Sequence, residues 1–192
     1  FLAAIGRPSE GCLSVTQVFL ADYPGEALFV SSILEALGAD TTLVTYNGKS
    51  FDLPLLRTRC VMNGLAPPLD SRHLDLLHVS RRLWKGVHGG ASLGLLEEAV
   101  LVKDRGPDVP GSLIPALWFA YLSRGEEGRM DLVMSHNASD VATLASLLAL
   151  ESAIFASPLD HVGDGGLDRA ALGRCLVARR RGRHARERDL RD

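Results

Sequence analysis

The spacing of apolar residues changes from strand-like to helical along this chain. "FLAAIGR" and "CLSVTQVFLA" are short apolar or alternating runs, and the turn-like "PSEG" between them predicts a hairpin. After "DYPGE", Leu28, Ile33, Leu34 and Leu37 fall at roughly helical spacing, so residues 27–37 are expected to form a surface helix. "TTLVTYN" returns to strand propensity, and Pro54, shortly after it, suits the first turn of a following helix. From "HLDLLHVSRRLW" onward the pattern is mostly helical. It runs through "SLGLLEEAVL", "SLIPALWFAYLSRG" and a long segment from about Gly128 to Phe155, which the polar run "SHNASD" is expected to interrupt. "DVPGSLIP" reads as a loop entering a helix, punctuated by Pro and Gly.

Composition sets wider limits. With 192 residues and 46% apolar content, the chain can bury a substantial core, enough for one domain of roughly 150 residues with an appendage. A formal net charge of -2 excludes a uniformly basic surface but leaves room for local patches. Cys12, Cys60 and Cys175 are odd in number, far apart and without CxxC spacing, which argues against a disulfide framework or a zinc site and for a reducing cytoplasm. The apolar runs read as shorter than the roughly 18 residues of a membrane span, and no signal-peptide pattern is visible. The chain opens on Phe1, so a fragment or processed product is expected.

The chemistry centres on "NGKSFD". Asp52 follows the strand "TTLVTYN" at the start of a helix, and strand C-terminal ends are where open α/β sheets place their ligands. A second carboxylate, Asp140, stands in "SHNASDVATL" on a separate helical element. Carboxylates converging from separate elements make an oxygen-rich site suited to magnesium or manganese, and a pair of such ions supports phosphodiester hydrolysis. His136 lies four residues before Asp140 and so shares its helix face, placed to serve as general base or water-orienting group.

At these residues a family resemblance becomes specific. "TYNGKSFDLPLLRTR" resembles the second exonuclease motif of the DEDD exonucleases, and "HNASD" occupies the place of their third. The series "HLDLLHVSRRLW", "SLGLLEEAVL", "DVPGSLIPALWFAYL" and "HNASDVATL" resembles, in order and spacing, the bacterial YprB-type RNase H-like domain, a branch of 3′-to-5′ exonuclease type. The resemblance covers residues 1 to about 155 and implies an α/β fold, an RNase H-like mixed sheet flanked by helices. It implies Asp52 and Asp140 as ligands of Mg2+ or Mn2+, with His136 beside them. It also implies Asn47, Lys49 and Phe51 at the substrate, and single-stranded DNA or RNA as partner.

The chain departs from the family in two places. The first motif, Asp-x-Glu on the central strand, is absent from the whole sequence. "FLAAIGR" looks like the family's second strand, so the first is expected to be missing upstream of Phe1; a degenerate motif, with Ala3 and Ile5 in place of the acids, is the alternative. On either account the isolated chain is expected to have little or no nuclease activity, leaving a non-catalytic nucleic-acid or protein-binding module as the other function. The third motif differs too, because better-known subtypes place a tyrosine four residues, or a histidine five, before the last Asp.

Structural readings stand beside these. Asp52 would also favour a helix N-terminal dipole, and His136 and Asn137 would suit a helix cap with Asp140 in its first turn. Asp75 in "HLDLLH" reads at least as well as a structural hydrogen-bond partner. Lys49, Arg57 and Arg59 offer phosphate contacts or a solvated surface. Trp84, Trp118 and Phe119 lie in apolar helical segments and are expected in the core rather than stacked on bases. Residues 1–157 are thus read as the RNase H-like domain and 158–192 as an Arg-rich helical tail. From residue 167 that tail holds nine arginines, and Leu167, Ala171, Leu172 and Leu176 fall on a helical period. It loosely resembles the start of a tetratricopeptide-like repeat and offers a surface for a protein partner. The arginine run itself is expected to be a solvated end.

Overall fold

A computed structural model describes residues 1–38, 41–68, 72–103, 109–125, 127–161 and 166–178. The chain divides into two compact units, Phe1–Asp75 with Lys103–Ser146, and Leu76–Val102 with Leu147–Asp192.

The first unit begins with the expected hairpin. β1 (Leu2–Ser9) pairs antiparallel with β2 (Cys12–Phe19) in unbroken register from Leu2 opposite Phe19 to Ser9 opposite Cys12. The connection uses Glu10 and Gly11, both with positive φ (38° and 87°), as a two-residue hairpin turn requires. α1 (Glu26–Leu37) follows, and then β3 (Leu43–Thr45) and α2 (Asp52–Met62). Arg59 of α2 forms an ion pair with Glu26 of α1, which assigns it to helix packing rather than to a phosphate.

Residues 73–75 depart from the helical expectation. His73–Asp75 forms β4, parallel to β3, with Leu43, Val44 and Thr45 opposite His73, Leu74 and Asp75. Three residues are too few to display a strand period, and α3 follows without a spacer, so the helical pattern of "LLHVSRRLW" masks them. Both pairing senses of a mixed sheet therefore occur, in two separate two-stranded sheets among the described residues rather than in one.

The 3-10 turn Gly111–Leu113 leads into α5 (Ile114–Arg124), as the punctuation of "DVPGSLIP" predicts. Val109, Met130 and Val133 form a buried cluster against which Leu2, Phe19, Ile114, Leu117, Tyr121 and Leu132 pack. Trp118 is buried as expected, its Nε1 donating to the Leu20 carbonyl at 3.1 Å, which satisfies a polar group that burial would otherwise strand. Phe119, expected in the core, is 54% exposed because it lies on the solvent side of the same helix.

α6 (Met130–Ala156) is one continuous helix, uninterrupted at "SHNASD". Ser and Asn break helices when their side chains compete for their own backbone. Here the Gln17 amide of β2 donates to Asn137 Oδ1 at 3.0 Å and to the Met134 carbonyl at 2.8 Å, drawing the Asn137 side chain into a tertiary bond. The same continuity removes the capping role for His136 and Asn137, which sit mid-helix. α6 also passes the length and composition test for a membrane span, with mean hydropathy 1.4 over an 18-residue window, contrary to the reading of short apolar runs.

The second unit is helical. α3 (Leu76–His88) buries Leu76, Leu77, Ser80, Leu83 and Trp84, an i, i+1, i+4, i+7, i+8 stripe. α4 (Leu93–Ala99) is capped by Ser92, whose Oγ accepts from the Leu95 amide at 3.3 Å. Leu96, Leu147, Ile154, Leu167, Ala171 and Leu172 are buried in the same unit. Asp168 opens the helix that follows it by accepting from the Ala171 amide at 2.8 Å, while its own amide donates to the Leu83 carbonyl at 2.8 Å. The arginine run beyond residue 178 lies outside the described residues.

Candidate functional site

Asp52 is the first residue of α2, and the loop from β3 delivers it through a conformation that the sequence encodes tightly. Asn47 has φ 65°, in the left-handed region that asparagine tolerates better than most residues. Gly48 serves by its lack of a side chain rather than by its φ. A Cβ there would stand 2.5 Å from both Cβ and Oγ1 of Thr45. Ser50 and Phe51 then donate their amides to the Asn47 carbonyl, and Leu53 donates to that of Gly48, which closes the first turn of α2.

Asp75 holds this loop from below. It is 4% exposed, and its two carboxylate oxygens accept from the amides of Asn47 at 2.8 Å and Lys49 at 3.0 Å. A buried carboxylate is tolerable only when so bonded, and these two charge-assisted bonds supply the compensation. The structural role weighed for Asp75 is thus the one observed, and its partners are the loop that carries the candidate site.

Charge gathers around the same strand ends. Asp52 has much of its surface in solvent, yet partial desolvation of its carboxyl group by burial raises its pKa. Its own backbone amide opposes that shift, and the nearby Asp75 charge adds to it. His73, which sequence reasoning passed over, hydrogen-bonds Thr45 Oγ1 through Nε2 at 2.8 Å. Burial lowers its pKa, as do the Lys49 and Arg57 charges, while Asp75 and Asp52 oppose the shift. Lys49 and Phe51 are exposed, Phe51 at 65%, so both face solvent beside Asp52.

The second group lies on α6. His136 Nε2 stands 3.3 Å from Asp140 Oδ2, the i, i+4 geometry expected from the sequence. Lys103 reaches the same helix from 36 and 40 residues away, its Nζ donating to Ser139 Oγ and Thr143 Oγ1, each at 2.9 Å. Nothing local in the sequence marks that contact.

These donors do not complete a two-ion metal centre. Among the described residues no group of three or more His, Cys, Asp or Glu side chains is placed to hold a metal. Asp75 spends its oxygens on amides, and Asp140 is engaged by His136. Asp52 and Asp140 together supply fewer carboxylates than a closed pair of divalent ions requires.

Comparison with known proteins places the chain in a family. A family model described as RNase_H superfamily matches residues 1–150. The uncharacterized protein YprB of Bacillus subtilis (strain 168) is 38% identical over 149 residues, which cover 77% of this chain and 36% of that protein, so the chain spans about a third of its relative's length. No solved structure gives a match. A chain with this hairpin, this parallel strand pair and this loop before α2, matched over residues 1–150, belongs to the RNase H superfamily as a YprB-type RNase H-like domain.

Proposed function

We propose that this domain is of metal-dependent 3′-to-5′ exonuclease type and hydrolyses phosphodiester bonds in single-stranded nucleic acid. The observation that supports this most is the Asp75 cradle, which spends a buried carboxylate and two backbone amides on fixing the loop that ends in Asp52. In this reading Asp52 and Asp140 are ligands for Mg2+ or Mn2+, His136 is the general base or water-orienting group, and Asn47, Lys49 and Phe51 meet the substrate. A base held in orientation by a carboxylate suits the His136–Asp140 pair.

The missing acids belong, in this proposal, to an Asp-x-Glu on a central strand encoded before Phe1. A strand pairing with β1 on one side and β3 on the other would merge the two small sheets into one mixed sheet and bring two more carboxylates to the site. The 192-residue chain alone is then nearly inactive. Residues 1–157 form the nuclease-type domain and 158–192 a tail with tetratricopeptide-like character that offers a surface to a protein partner; the setting is cytoplasmic. A non-catalytic binding module is the second reading, favoured by the incomplete ligand set among the described residues.

The test is digestion of a labelled single-stranded oligonucleotide with Mg2+ or Mn2+, by this chain and by a version extended with its upstream coding sequence. Activity is expected in the extended protein and loss of it in Asp52→Asn and Asp140→Asn. Activity that survives Asp52→Asn would sink the ligand assignment, and robust activity of the short chain would sink the requirement for an upstream strand. An inactive extended protein that still binds the oligonucleotide supports the binding module.

A further inference from the structure

Asn47, Gly48 and Lys49 are each braced, directly or at one remove, by β4. Asp75 accepts from the amides of Asn47 and Lys49. Gly48, between them, rests against Thr45 of β3: a Cβ on Gly48 would stand 2.5 Å from Thr45 Cβ and Oγ1 and 2.7 Å from Cγ2. Thr45 Oγ1 is in turn bonded to His73 Nε2 at 2.8 Å. His73 and Asp75 are two residues apart on β4 and so belong to the same face of the strand.

The bond to His73 decides how Thr45 meets the loop. A threonine on a strand has more than one χ1 well, and this bond selects the well that sets Oγ1 and Cγ2 against Gly48. From Gly48 the contact passes to the helix, because the Gly48 carbonyl accepts from the Leu53 amide at 2.9 Å. Leu53 is the neighbour of Asp52, and its bond helps to close the turn from which the Asp52 side chain projects.

We infer that His73 is a positioning residue for Asp52, acting through Thr45 and Gly48. This rests on the exonuclease-type reading, in which Asp52 is a metal ligand. Ligands of a metal ion tolerate little displacement, and residues that touch the ligand's support rather than the ion hold them in place. Asp75 secures the amides on either side of Gly48, and His73 secures the surface on which Gly48 itself rests.

The experiment pairs two readouts. Exchange of the Leu53 amide in the 192-residue chain reports its bond to Gly48; steady-state digestion of labelled oligothymidylate with Mg2+ by the upstream-extended protein reports the placement of Asp52. His73→Phe and Thr45→Val should each quicken Leu53 exchange about fivefold, the equivalent of one neutral hydrogen bond. Each should lower kcat by roughly ten- to a hundredfold with KM little changed. His73→Gln, whose amide can occupy the place of Nε2, should restore both readouts. The double variant should be no worse than either single variant, because both remove the same bond. Should His73→Phe fail to fold, Thr45→Val, isosteric and β-branched, carries the test. If the variants lower the melting temperature but leave Leu53 exchange and kcat unchanged, His73 is a packing residue of the strand pair and the inference is overturned. Faster exchange with unchanged kcat overturns it too, since the loop would then be braced without consequence for Asp52. If the extended wild-type protein digests nothing, the exonuclease-type reading fails and the positioning role with it; exchange in the shorter chain distinguishes that case from a failure of the brace.

Discussion

Asp75 and Lys49 are joined by a 3.0 Å bond from a backbone amide to a buried carboxylate, and Asn47 shares the same acceptor group at 2.8 Å. Hydrogen bonds to charged groups contribute about 1.5–3 kcal/mol each. Asp75→Asn keeps one good acceptor oxygen and should cost on the order of 2 kcal/mol; Asp75→Ala should cost more. In a chain of this size each kcal/mol lowers the melting temperature by roughly 2–4 °C, so thermal melts resolve both variants. Melts equal to wild type would show that the cradle contributes nothing.

Gly48→Ala tests the close approach in the same loop. Its new Cβ would meet Thr45 side-chain atoms at 2.5–2.7 Å, well inside contact distance. Overpacking of this kind costs about 1–3 kcal/mol. Denaturant unfolding should show that loss, and the oligonucleotide assay should show weaker binding as the loop shifts.

Glu151 predicts a pH dependence. It is 4% exposed, and Ser80 Oγ donates to its Oε1 at 2.7 Å. Burial pushes its pKa from 4.5 up to about 7, with the Ser80 bond acting in the opposite direction. A raised pKa means that the folded protein holds a proton the unfolded chain has released. The stabilisation is therefore complete below about pH 4.5 and is lost as pH rises through about 7. The loss is on the order of 3 kcal/mol by linkage. Glu151→Gln should flatten the stability profile between those values and be the more stable protein at pH 8. Parallel profiles for the two proteins would contradict this.

Gln17→Leu tests what keeps α6 continuous. Removing the bonds to Met134 and Asn137 should cost roughly 1–2 kcal/mol, at the usual value for neutral hydrogen bonds. Amide exchange should quicken around residues 134–140 ahead of the rest of the helix. Uniform exchange along α6 would assign its continuity to apolar packing alone.

The hairpin was legible because alternation and a turn signal sit side by side in ten residues of sequence. Asp52 was legible because a strand, a glycine-containing loop and a helix start leave a local trace. Other features depend on partners far along the chain. The bond that holds the Asn137 side chain in α6 comes from Gln17, 120 residues earlier. Asp75 acts on amides 26 and 28 residues earlier, and β4 is too short to show a period beside the strong stripe of α3. Lys103 carries no motif at all. The exposure of Phe119 could not be separated from the burial of its neighbour Trp118 by composition, because adjacent helical residues face different ways.

The parallel ladder of β3 and β4 has three residue pairs, ending with Thr45 opposite Asp75. So short a ladder has little backbone energy with which to resist slippage. A slip of one residue along β4 would bring Leu74 or Leu76 to the position of Asp75 and present an alkyl group to the amides of Asn47 and Lys49. It would also turn alternate side chains to the opposite face of the strand. The carboxylate thus acts as a register pin: its electrostatic bonds choose one alignment of two strands whose own hydrogen bonds would scarcely distinguish it from the next.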